Sequence, residues 1–414
     1  MIEGYEHFVG IDWGNEHHQV CVVDRRGKVV EKRRVPNNGE GLQAVVELCR
    51  KWGRAAVGIE TPRGALVETL LAAQVPVFHI NPKQAERIRE RYNAAGAKDD
   101  RLDAFSAADG LRTDSVDRPC FRRVEVTPDH LAELQTIGRL DQSMTKDRVR
   151  VQNRLREAVL LVHPALLTLC VGADEAWLWA VLEQFVGAAR KPLTSEVQAI
   201  LRKHRIRRIS AEAIVAALRQ EGAKVSDGSI RAAKITIRAL VPQLRCIEQE
   251  QRTLAKQLRE ILQELESGTA EGQSSEHRDV AILRSMPGVG DKTAAAMLAE
   301  VPQFLRTRNY PALRAITGVA PVTDATGKRS GNRATVKMRR GCRTRLRTVM
   351  HMWAGNAMLH DPGWRAVYER MRARGKKHND ALRSLGDRLL RVLVGALKRG
   401  TPYDPAILSP PAPG

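Results

Sequence analysis

The segment HFVGIDWGNEHHQVCVVDRRGKVV sets a lone acid, Asp12, at the end of an apolar run. Burying an uncompensated carboxylate is costly, so Asp12 must lie at a strand end, be paired, or hold a metal. Glu60 stands the same way at the end of AAVGIE. Asp100 and Asp103, three residues apart in AGAKDDRLDAFSAAD, share one helix face. If the four converge, their like charges repel unless divalent cations compensate, which fits an oxygen-ligand site for one or two Mg2+, with Mn2+ as the alternative. Two such ions about 4 Å apart clamp both oxygens of a phosphoryl displacement. Each acid alone also has a plain reading: a strand-end cap for Asp12, a surface acid for Glu60, and a helix start paired with Lys98 and Arg101 for the other two. Asp99 exchanges roles with Asp100 if the helix begins one residue away, and Asp109 is expected in solvent. His17 and His18 are not assigned as ligands, because successive strand positions face opposite ways and oxygen-rich sites suit Mg2+ or Mn2+.

A second constellation lies far downstream. Residues 328–347 hold nine Lys or Arg and no acid, and Ser330 sits among Arg329, Gly331 and Arg333. Guanidinium groups neutralise phosphate oxygens and favour an alkoxide, so a serine there suits attack on a phosphodiester. Ser285 and Thr335 are rival hydroxyls, and a solvated basic face is the bland alternative. Lys328, Arg329, Arg333, Lys337, Arg339, Arg340 and Arg343 are expected to contact nucleic acid. Just upstream, ILRSMPGVGDKTAAAMLAE matches a helix-hairpin-helix turn, in which Gly288 and Gly290 admit a phosphate beside Lys292, Thr293 and the unpaired amides of a helix start. A plain glycine turn between packed helices is the alternative.

The elements that would position these groups follow from hydrophobic period. Strands are expected near 7–13, 17–24 and 28–35, then a helix near 40–52. The chain continues with strand AAVGIE, a helix through GALVETLLAAQ, strand VPVFHI and helices from Pro82 onward. The order βββαβαβα is that of a ribonuclease-H-like fold, in which the first and fourth strands are neighbours. Asp12 and Glu60 would then meet on one rim. A long helix is expected from Pro128 to His163. A heptad seam runs through Ile237, Leu240, Leu244, Ile247, Leu254, Leu258, Ile261 and Leu265, with Gln251 in one core position and Pro242 off the seam. Pairing between chains is preferred over a hairpin with the earlier helix. A linker, GTAEGQSSEH, places a boundary near 270.

Composition narrows the partners. The 414 residues allow two or three domains, and a net charge of +21 with a pI near 10.2 favours nucleic acid. No apolar run is long enough to span a membrane, and MIEGYEHF lacks the zones of a signal peptide, so a cytoplasmic protein is expected. The six cysteines contain no C-x-x-C pair and read as reduced thiols.

With both ends read, the chain resembles the DEDD transposases of bacterial insertion sequences, the bridge-RNA-guided recombinases. The motifs that carry the likeness are VGIDWG, VGIETP, KDDRLDA, MPGVGDKTA, ITGVAPV, RSG with Ser330, and RRGCRTRLR, in that order. The resemblance implies an α/β RuvC-like DEDD domain over 1–125, a helical and coiled-coil oligomerisation region over 126–272, a mainly α-helical serine-bearing domain with a helix-hairpin-helix over 273–405, and a tail over 406–414. It implies that Asp12, Glu60, Asp100 and Asp103 bind Mg2+ and that Ser330 is the nucleophile forming a covalent phosphoserine–DNA intermediate. Donor and target DNA, a non-coding guide RNA, and dimers and tetramers with active sites shared between subunits are implied partners, in a bacterial, nucleoid-associated setting. Met338 and Cys342 stand where the family usually has Ser and Asn, leaving Ser330 as the only family-placed hydroxyl. The alternatives are a RuvC-like endonuclease hydrolysing DNA with metal-activated water, and a non-catalytic nucleic-acid-binding protein.

Overall fold

A computed structural model of the chain describes residues 4–92, 99–114, 120–186, 192–220, 225–268, 274–324 and 335–408. The chain divides into two units, Met1–Pro128 and Asp129–Gly414.

In the first unit, the apolar runs of β1 (His7–Asp12) and β2 (His17–Asp24), buried on both faces, join β3 (Val29–Pro36) in an antiparallel meander. Helix α1 (Gly39–Lys51) begins at Asn38, whose side chain accepts a bond from the Gly41 amide. Then follow β4 (Ala55–Ile59), α2 (Ala65–Ala72), β5 (Val77–Ile80), α3 (Pro82–Glu90) and α4 (Asp100–Arg112). The sheet order is β3-β2-β1-β4-β5-β6, with β1 parallel to β4 and β4 parallel to β5. The expected adjacency of first and fourth strands is therefore present. An additional strand, β6 (Phe121–Arg123), pairs antiparallel to β5; three residues are too few for an alternation to show in sequence.

Strand period sorts the core onto the two faces of the sheet. Val9, Ile11, Val57, Ile59 and Val77 pack with α1 and α2, whereas Phe8, Ala56, Phe78 and Ile80 pack with Ile88 of α3 and Ala104, Ala108 and Leu111 of α4. Helix α4 lies directly on the strands because glycines face each other beneath it: Gly10 and Gly58 are partners in register. A Cβ on Gly10 would collide with the Ala104 carbonyl, and one on Gly58 would stand 3.0 Å from the Ala107 carbonyl.

The second unit is mostly helical. Its frame is a pair of long helices, α5 (Asp129–Val162) and α10 (Asp227–Ser267), packed along each other. Pairing is thus within the chain, which corrects the preference for an interchain coiled coil. Gln251 shows the physical reason: its side chain donates to Asp141 Oδ1 at 3.3 Å and to Thr145 Oγ1 at 3.0 Å, both on α5. Helix α10 continues through Pro242, because Ile237, Leu240, Val241 and Leu244 on both sides of it are fully packed.

Each end of the pair carries a core. At one end, α6 (Pro164–Leu169), α7 (Ala176–Phe185), α8 (Thr194–Lys203) and α9 (Ala211–Arg219) enclose Trp177 and Trp179 against Leu155–Val162 and Ala233–Leu244. At the other, Leu131, Leu134, Leu258, Leu262 and Leu265 join α11 (Ser274–Ser285), α12 (Asp291–Glu300), α13 (Pro302–Arg306), α14 (Tyr310–Ile316), α15 (Thr344–His360), α16 (Pro362–Ala373) and α17 (His378–Arg399). A hairpin of β7 (Pro321–Asp324) and β8 (Thr335–Met338) stands between α14 and α15, and a 3-10 turn covers Pro405–Leu408. Among the described residues no helix is long and apolar enough to cross a membrane.

Candidate active site

The carboxylate rim is assembled by strand register. Ile11 faces Ile59 across the parallel β1–β4 pair, so Asp12, ending β1, and Glu60, next after β4, stand side by side. Asp12 is half-buried and Glu60 exposed. Helix α4 has its direction fixed at its far end, where Arg112 donates to the Arg25 carbonyl at 3.2 Å in the β2–β3 turn, beside the start of β1. Its first turn, with Asp100 and Asp103, therefore lies toward the end of β1 that carries Asp12. Asp99 is the N-cap, accepting from the Arg101 amide at 3.0 Å, which leaves Asp100 and Asp103 inside the helix.

Arg89, on the last turn of α3, donates through Nη1 to both Asp103 oxygens, at 3.0 and 3.3 Å. That hydrogen bond, followed by the fields of Asp103, Glu86 and Glu60, raises the Arg89 pKa above its ordinary value. Sequence offered no signal for Arg89, since ERIRER reads as ordinary helix surface. Among the described residues no three His, Cys, Asp or Glu side chains close into a ready-made metal cage. All four groups are carboxylates, the donor type that a hard cation takes, and a cation, the Arg89 guanidinium, already lies on one of them, Asp103.

Asp109 corrects the expectation of a solvated acid. It is buried and accepts from Arg112 Nε at 2.7 Å and from the Tyr92 hydroxyl, so two donors replace water. His17 is exposed and His18 fully buried, as alternation requires. His18 Nδ1 accepts from the Gly14 amide at 3.3 Å, and burial pushes its pKa below the usual imidazole value. Burial likewise pushes the Cys21 and Cys49 thiols up, to about 11 and about 12, which makes them inert packing groups.

In the second unit the glycine turn leads into α12. Gly288 has φ +76°, and a Cβ there would lie 2.8 Å from Ala357 Cα of α15, so this glycine serves helix packing. Gly290, the N-cap of α12, faces open space. Lys292 forms an ion pair with Asp141 of α5 at 2.7 and 2.8 Å, while Thr293 is buried. Ser285 donates to the Ile282 carbonyl at 2.7 Å and accepts from the Tyr403 amide at 2.8 Å, so this rival hydroxyl is engaged by backbone on both sides.

Ser330, Lys328, Arg329 and Arg333 lie outside the described residues, as do the side chains of Thr335 and Lys337. Downstream, Arg340 is exposed and Arg339 half-buried, its Nε on the Gly341 carbonyl at 3.3 Å. Arg343 turns to Glu300, donating to its backbone carbonyl and approaching its carboxylate at 3.4 Å. Glu300 is a feature that the sequence reading missed. Only 5% exposed, it also takes a two-pronged bond from Arg139 at 3.0 and 3.1 Å and has Arg345 Nε at 3.6 Å. Two arginines of the basic run thus bind a buried acid.

Comparison with known proteins matches both ends of the chain. A model of IS110-type DEDD transposases, described as transposase, matches residues 9–164, and one described as the transposase IS116/IS110/IS902 family matches residues 280–369. The chain belongs to this family of transposases. The first match includes all four acids and the second includes the glycine turn, Ser330 and the basic run. The uncharacterized 43.6 kDa protein of insertion element IS110 from Streptomyces coelicolor is 29% identical over 408 residues, 96% of this chain and 95% of that protein. The mini-circle transposase candidate for IS117 from the same organism is 29% identical over 413 residues, with 96% and 95% coverage. The transposase candidate y4uE of Sinorhizobium fredii is 36% identical over 213 residues, 49% of this chain and 58% of that protein. Members of the family are DNA-processing enzymes.

Proposed function

We propose that this IS110-family transposase cuts and rejoins DNA strands with a RuvC-like, ribonuclease-H-type carboxylate site acting with a serine nucleophile, Ser330. One observation carries the reading: Asp12 and Glu60 end neighbouring parallel strands in register, with the first turn of α4 toward the same rim. Asp12, Glu60, Asp100 and Asp103 would hold Mg2+, or Mn2+ in its place, and the metal would supply neutralisation of charge on the attacked phosphate. Ser330 Oγ loses its proton and bonds to phosphorus. The bond from phosphorus to one strand end breaks, that oxygen leaves with the electron pair and takes a proton, and the phosphate stays esterified to Ser330. A hydroxyl of another strand end then attacks the phosphoserine, forms the new phosphodiester and returns the proton to Ser330. Bond number is conserved, so rejoining needs no nucleotide cofactor.

Lys328, Arg329, Arg333, Lys337, Arg339 and Arg340 would hold phosphate oxygens during these steps. The turn before α12 would act as a helix-hairpin-helix, with Gly290 leaving its amides open to a DNA backbone. A non-coding guide RNA pairing with donor and target DNA would carry sequence choice. Dimers and tetramers would form through surfaces other than the α5–α10 seam, which is filled within the chain.

The experiment is denaturing electrophoresis of protein incubated with end-labelled DNA and Mg2+. Label that migrates with wild-type protein and is released by protease, but is absent from Ser330→Ala, is expected. The mutant should still bind DNA, since one hydroxyl contributes only about 1 kcal/mol. Free cut ends without an adduct, or recombination by Ser330→Ala, would replace this mechanism with hydrolysis by metal-activated water.

A further inference from the structure

Arg87 of helix α3 and Arg91, the residue just after that helix, flank a residue that behaves differently from both. They are exposed, whereas the Arg89 side chain is only 20% exposed and faces an Asp103 that is 24% exposed. Its Nη1 reaches both Asp103 oxygens, at 3.0 and 3.3 Å. Asp103 sits in the first turn of α4, where Asp99 caps the helix and Gly10 and Gly58 hold the helix backbone against the strands. The aspartate therefore has little freedom to leave the guanidinium by moving its own backbone. Arg89 ends a flexible side chain and can leave.

We propose that Arg89 is the positioning residue of the carboxylate rim, holding Asp103, and that a divalent, oxygen-preferring cation enters by exchange with this guanidinium. The inference rests on the metal reading of Asp12, Glu60, Asp100 and Asp103. Like charges on one rim raise the free energy of the metal-free protein. A guanidinium beside them lowers it, so the folded rim is assembled before metal arrives. The same contact must be surrendered when metal binds Asp103, so metal affinity is reduced by the fraction of molecules in which Asp103 is released. If the paired form dominates about tenfold, the apparent dissociation constant is raised about tenfold.

The test is a Mn2+ titration of the full chain, without DNA, read by loss of the free Mn2+ paramagnetic resonance signal and by the rise in melting temperature. Arg89→Gln should lower the Mn2+ midpoint about tenfold relative to wild type, while lowering the melting temperature of the metal-free protein. Arg89→Lys keeps the charge but not the planar fork, so its midpoint should fall between the two; it carries the test if the glutamine variant does not fold. Asp12→Asn should weaken Mn2+ binding in every background. Equal losses of melting temperature at all Mn2+ concentrations with an unmoved midpoint would make Arg89 a purely structural ion pair and overturn the proposal. So would a raised midpoint. Absence of saturable Mn2+ binding in wild type, or indifference to Asp12→Asn, would instead overturn the metal reading and this inference with it.

Discussion

Removing the charge of Glu300 tests how the basic run near α15 is anchored. The carboxylate ends α12 and is the shared partner of Arg139, Arg343 and Arg345. Arg345 is the buried arm. Its side chain is 17% exposed, its Nη1 is enclosed without a hydrogen-bond partner, and burial, partly offset by Glu300, lowers its pKa. Arg139 and Arg343 are 38% and 49% exposed, so water and salt screen them and their pairs are worth at most about 1 kcal/mol each. Leaving a buried charge without its partner costs about 3–5 kcal/mol, and Arg345 dominates that sum. Glu300→Gln should therefore destabilise the second unit by roughly 3–5 kcal/mol. At about 2–4 °C per kcal/mol, its calorimetric transition should fall by roughly 10 °C. Adding Arg345→Met removes the stranded charge and should restore at least half of the loss, a coupling that a double-mutant cycle measures directly. A loss under about 1 kcal/mol, or a double variant less stable than Glu300→Gln, would refute the argument that Arg345 is held by this acid.

Two further outcomes follow from the same region. Gly138 lies inside α5, where alanine normally adds about 1 kcal/mol of stability. A Cβ there would collide with the Arg345 guanidinium, which Glu300 restrains. Gly138→Ala should thus destabilise the wild type yet stabilise an Arg345→Ala background, and urea unfolding showing the same sign in both would remove the assigned role of the glycine. Replacing Arg339 and Arg340 by Ala should weaken DNA binding across sequences and reduce the dependence of log affinity on log salt by up to about 2, as expected for two phosphate contacts. An unchanged slope in anisotropy titrations would assign both side chains to a solvated face.

The sequence by itself determined the local structure and the position of the candidate chemistry along it. Short apolar runs ending at turn residues define β1, β2 and β4, and helical apolar spacing defines α5 and α10. The four acids were legible for the same reason: an acid closing an apolar strand, or two acids on one helix face, is visible without tertiary information. What only the tertiary structure decided is which group meets which. The heptad seam of α10 is equally able to pair with another chain or with α5; Gln251, bonded to Asp141 and Thr145, reports the choice. Asp109 reads as a surface acid until Tyr92 and Arg112 enclose it. Gly288 reads as a phosphate turn until α15 is found against its Cα. Arg89 and Glu300 carry no local mark at all, since an ion pair between distant elements depends on distances that the fold creates. Period is a property of a segment, whereas a charge partner or a packing partner is a property of the assembled chain.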